Sequence, residues 1–126
     1  MTAKAATWVG NTINVTDYRN AVVKIGTASS ANLTVKCQGA ITSPLTSEVA
    51  PNFASAQSVS NHWDYVQMID QQDGSPVSGD TGFVVTGTDD FRLFAINIDN
   101  LDFLNFNVTA RSAGSVTIEV QLTDNL

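Results

Sequence analysis

One short stretch, Ser60-Asn61-His62-Trp63-Asp64, holds the side-chain types of a nucleophile, a base and an orienting acid. Acyl-transfer chemistry would need these groups in mutual hydrogen-bond reach. Residues adjacent along an extended chain point in different directions, so adjacency in sequence does not supply triad geometry. His62 is the only histidine in the chain and Cys37 the only cysteine. One of each cannot complete the usual nitrogen and sulfur set around zinc. Calcium needs only oxygen ligands, and Asp70, Asp73, Asp80, Asp89, Asp90, Asp99 and Asp102 gather toward turns. The run Asp70-Gln71-Gln72-Asp73-Gly74 lacks the spacing of an EF-hand loop, so these acids read as solvated turn residues. The glycines are scattered, and none forms a phosphate-cradling loop. Trp8, Trp63 and Tyr65 offer rings on which a sugar could stack, or rings for core and interface packing. The expectation is a chain with no catalytic residues, no cofactor and no metal.

The elements that would position these residues are strands. Alternation of period two dominates the chain. Leu33, Val35 and Cys37 share one face of Asn32–Gln38. Leu104, Phe106, Val108 and Ala110 share one face of Phe103–Ala110, with Asn105, Asn107 and Thr109 on the other. Val116, Ile118, Val120 and Leu122 alternate with Thr117, Glu119 and Gln121. Shorter candidates are Ile13–Val15, Val22–Ile25, Tyr65–Ile69 and Phe83–Thr86. Ser112-Ala113-Gly114-Ser115 lies between the two cleanest strands and reads as a hairpin turn. Helical stripes with caps are lacking. About eight short antiparallel strands at this spacing predict an all-β fold, a β-sandwich of jelly-roll type. Its core should contain Leu33, Val35, Leu104, Phe106, Val108, Val116, Ile118 and Val120. Cys37, on an apolar face, reads as an inert core thiol.

Two regions break the pattern. In Phe91–Ile98 both faces are apolar: Phe94, Ile96 and Ile98 on one, Phe91, Leu93 and Ala95 on the other. The second face is covered either by the chain itself or by another subunit. Ser43–Asn61 has two prolines and no sustained alternation, and long structureless loops in compact domains are often functional. The organisation expected is one domain over residues 1–126, with 1–10 an N-terminal arm and 43–61 a long loop or arm.

With 126 residues, 43% hydrophobic and 14% charged, the chain can bury a core. Its net charge is −6, and its six basic residues are scattered. A nucleic-acid binder would show a basic patch, so neither nucleic acid nor, lacking a roughly 20-residue apolar run, a membrane is an expected partner. Residues Met1–Trp8 lack the apolar core of a signal peptide. Synthesis in a cytoplasm is expected, which makes the sequons at Asn14, Asn32 and Asn107 incidental.

From Leu33 to Thr123 a looser pattern recurs. It comprises Trp63-Asp64-Tyr65-Val66, Asp70, Asp73-Gly74, Gly79-Asp80-Thr81-Gly82 and Phe94-Ala95-Ile96-Asn97-Ile98. It ends with Leu101–Ala110 and Ala113-Gly114-Ser115-Val116-Thr117-Ile118. This resembles small tailed-phage virion proteins of the capsid decoration, or head-stabilising, type. The resemblance implies a non-enzymatic virion protein made in the bacterial host cytoplasm. It also implies a homo-oligomer, a trimer in view of capsid three-fold positions, bound to a capsid or another virion protein. The interface residues expected are Phe91, Leu93, Trp63 and Tyr65. The alternative is a carbohydrate- or receptor-binding β-sandwich module of a phage fibre or bacterial surface protein, stacking sugar on Trp63 or Trp8.

Overall fold

The computed structural model describes residues 8–10, 12–41 and 63–124. The segment 43–61, His62 and most of the arm 1–10 lie outside the described residues. The described chain is all-β, with nine strands in one sheet and every pairing antiparallel. They are β1 (Trp8–Val9), β2 (Ile13–Asn14), β3 (Asn20–Ala40), β4 (Asp64–Tyr65), β5 (Met68–Asp70), β6 (Pro76–Val77), β7 (Phe83–Thr88), β8 (Phe91–Asn97) and β9 (Phe103–Thr123).

Two strands of 21 residues each, β3 and β9, carry the architecture. They pair from Asn20 opposite Thr123 to Ala40 opposite Phe103. Both bend near the middle. In β3 the register slips between Ala28 and Asn32, where Ser29 and Ser30 take positive φ of 64° and 54°. In β9 Ala110 and Gly114 do the same, at 51° and 79°. The bend divides the sheet into two halves. The first holds the start of β3 and the end of β9 with β8, β5 and β6. The second holds the end of β3 and the start of β9 with β7, β4, β1 and β2. The halves face each other. Val23 and Ile25 from the first and Val35 and Phe106 from the second belong to one buried cluster. Phe83 and Phe94 meet across it edge to face, with ring centroids 5.0 Å apart.

The expected hairpin at Ser112–Ser115 is therefore a corner instead. The residues that permit a tight turn also permit a sharp bend, and a common long partner on both sides decides between the two. Gly114 is required there twice over. Its φ suits glycine, and a Cβ would overlap the backbone of Ala31 on β3. The matching corner of β3 is pinned from the β7–β8 link. Ser30 N–H donates to Asp89 Oδ1 (2.7 Å), and Thr27 exchanges bonds with Asp90 through its N–H (2.8 Å) and Oγ1 (2.7 Å).

The core expected from alternation is present. Leu33, Val35, Leu104, Phe106, Val108, Val116 and Ile118 are buried, and Val120 packs half-buried against them. Ala110, assigned to the same face, is exposed because the corner turns it outward. The Tyr65–Ile69 strand is split into β4 and β5, which join different neighbours, β3 and β8.

Candidate interaction surface

The outer face of the first half-sheet is built from three adjacent rows. Gly26 stands opposite Phe91 and Thr117. Lys24 stands opposite Leu93 and Glu119. Val22 stands opposite Ala95 and Gln121, and Ala95 in turn faces Ile69 of β5. Side chains directly opposite on antiparallel strands share a face, so Phe91, Leu93, Ala95, Val22 and Ile69 form one apolar patch. Phe91 is 61% exposed, Leu93 41% and Val22 37%. Phe94, Ile96 and Ile98 point the other way into the core. β8 is thus a central strand whose outer face the described residues leave open.

Charge borders this patch on one side. Lys24 Nζ lies 3.1 Å from Glu119 Oε1 and 5.7 Å from the centre of the Phe91 ring. Both partners of the ion pair are well exposed, so solvent screens it and it contributes little to stability. Arg92, on the inner side at the rim, reaches Asp70 Oδ2 (3.3 Å) and Asp90 Oδ1 (3.4 Å). It ties β5 to the link before β8 and holds the patch-bearing strand in place.

The other two expected interface residues lie elsewhere. Trp63 is 2% exposed and packs with Ala40 and Phe103 in a small second cluster on the other half-sheet. Tyr65, half-buried, stands opposite Gln38, with Lys36 Nζ 5.3 Å from its ring centre. The structure brings Phe91 and Leu93 together and keeps both apart from Trp63 and Tyr65. A buried indole offers no face for sugar stacking. Of Trp8, only its place in β1 opposite Val108 is described.

Sequence reasoning missed the contribution of Val22 and Ile69 to the patch. Each belongs to a short apolar run, and only the register of β3, β8 and β5 places them beside Ala95. Alternation sets Asn105 and Asn107 on the face opposite Leu104 and Phe106, and both are buried there along with Gln38. Asn105 Nδ2 donates to the Gly10 carbonyl (2.7 Å). Asn105 Oδ1 and both polar atoms of Gln38, its cross-strand neighbour, have no hydrogen-bond partner among the described residues.

The aspartates serve the turns. Asp73 Oδ1 accepts from Ser75 N–H (2.9 Å) and Oγ–H (2.6 Å), Asp80 from Ser78 Oγ–H (2.6 Å), and Asp102 from Thr16 Oγ1–H (3.0 Å). The Ser75 hydroxyl, then its amide, holds the Asp73 carboxyl below its ordinary range, and the Ser78 hydroxyl does the same for Asp80. Among the described residues no three His, Cys, Asp or Glu side chains gather as a metal site. Burial pushes the Cys37 thiol far up, which keeps it protonated and unreactive.

No protein-family model and no curated protein matches the chain. Among solved structures it is similar to the SPBc2 prophage-derived protein YomS, with a TM-score of 0.63 and 14% identity. The match covers 97% of this chain and 92% of that one. At that identity the likeness is one of fold.

Proposed function

We propose that the protein is a non-enzymatic structural component of a phage virion that decorates or stabilises a capsid. In this reading another virion subunit buries the outer face of β8. The observation that carries it is the exposed apolar patch of Phe91, Leu93 and Val22 on a central strand. Surface patches of this kind mark sites of protein–protein contact, and buried aromatic residues supply much of the binding energy of such contacts. The fold shared with a prophage-derived protein supports the phage setting. So does the resemblance to head-stabilising proteins.

The test is the protein content of purified particles whose genome encodes this chain. A virion structural protein appears there in stoichiometric amount by mass spectrometry. Its absence from particles, with the chain present in the infected cell, would overturn the reading. The double substitution Phe91→Ser and Leu93→Ser should remove the chain from particles while leaving its circular dichroism spectrum unchanged. Because the contact is apolar, attachment should survive high salt.

A further inference from the structure

The outer edge of β9 carries a second, different surface. β1 and β2 pair with β9 only between Phe103 and Val108, and from Thr109 to Thr123 no described strand pairs with that edge. Neighbouring residues of a strand direct their amide groups to opposite sides. Thr27 N–H bonds Asp90 on the β8 side, so Lys24 bonds toward β9 and its partner Glu119 toward β3. Ile118, Val120 and Leu122 therefore direct their N–H and C=O groups outward. Just inside this edge an apolar notch of about 260 Å³ opens between the half-sheets, lined by Ile13, Phe106, Ile118, Val120 and Leu122.

Exposed strand edges are usually blunted by proline, charge or shortness. The β6 edge is two residues long and contains Pro76. From Val116 to Thr123 β9 has no proline and one charge, Glu119, which is paired with Lys24.

We infer that this edge pairs with its own copy, the β9 strands of two chains running antiparallel about a two-fold axis at Val120. That register sets Ile118 opposite the second copy's Leu122, and Val120 opposite its equivalent, all on the notch side. Their outward amide groups match as hydrogen-bonded pairs, and the added apolar side chains cap the notch. On the other side Glu119 meets Gln121, so the chain's net charge of −6 brings no carboxylates face to face at the seam. The sheet becomes continuous across two molecules, and the patch on β8 stays free for the virion surface. The stoichiometry is then two, not the three that the family resemblance implies. The dimer is independent of the virion reading, which particle composition tests.

The experiment is sedimentation equilibrium at low and high salt on wild type, Gln121→Lys and Gln121→Glu. Gln121 is exposed, so neither substitution threatens the fold. The expected result is a dimer that Gln121→Lys tightens and Gln121→Glu loosens. Two cross-strand pairs per dimer make each change about two- to thirtyfold, and high salt brings the variants together. A monomer throughout, a trimer, or an assembly indifferent to both changes overturns the inference. An oligomer dissolved only by Phe91→Ser with Leu93→Ser also overturns it, moving self-association to β8 while leaving the virion role intact.

Discussion

The outer faces of the two half-sheets differ in exposure, and each inverts the usual relation between polarity and burial. Around β8, Phe91, Leu93 and Val22 are open to solvent. Around the end of β3, Gln38, Asn105 and Asn107 are buried, and Gln38 and Asn105 retain polar atoms without partners among the described residues. Exposed scattered apolar residues are common, whereas a contiguous patch or a buried unpaired amide calls for an explanation. The first face is left open by the described residues. The second is closed off at a cost in hydrogen bonding. The difference shows that alternation locates the shared inner core of such a sheet but not the fate of its outer faces.

Breaking the shared core should have the largest effect. Phe106→Ala, in the cluster where both halves meet, is expected to cost about 3–5 kcal/mol in urea unfolding. A cost below 1 kcal/mol would mean that the halves do not rest on each other. Next is the corner that separates the two faces. Gly114→Ala adds left-handed strain and a clash with Ala31, for a loss of about 1–3 kcal/mol in the same measurement. The buried polar face gives an effect of opposite sign. Gln38→Met keeps the shape and removes the two unpaired groups, so stability should rise by about 1–2 kcal/mol. A clear loss instead would reveal a hydrogen-bonded role for that amide.

The smallest effect is in acid. Asp73 and Asp80 have folded-state pKa values below the ordinary 3.8. Their contribution is therefore complete above that value and is lost as pH falls through the lower folded one. NMR titration should show both carboxyls protonating later than an unperturbed aspartate, and Ser75→Ala should return Asp73 toward the ordinary value.

Much of the fold is legible in the sequence because period-two alternation reports which side chains share a face. Leu33 through Cys37 and Leu104 through Val108 are read correctly for that reason. The same signal cannot tell a turn from a bend. Ser29-Ser30 and Ser112–Ser115 both interrupt alternation, yet each lies inside one long strand because the two interruptions fall opposite each other. That coincidence is tertiary and leaves no local trace. Phe91 and Leu93 stand out as a surplus of apolar residues, whereas Asn105 gives no warning of burial, since an amide suits solvent and interior equally when alternation alone is the guide. Trp63 shows the converse: a large ring fits an interface or a core, and only the structure sets it in a cluster with Ala40 and Phe103.

The pairing of Asn20 with Thr123 sets the timing of folding as well as the shape. During synthesis β3 emerges early and must wait for β9, its partner along one entire edge. Until then its alternating apolar face has only β7, β8 and shorter strands to lie against. Most of the sheet is closed by contacts distant in sequence, so the chain belongs with slow folders, on a scale of about milliseconds to seconds. The nascent chain is exposed to aggregation for as long as β3 lacks that partner.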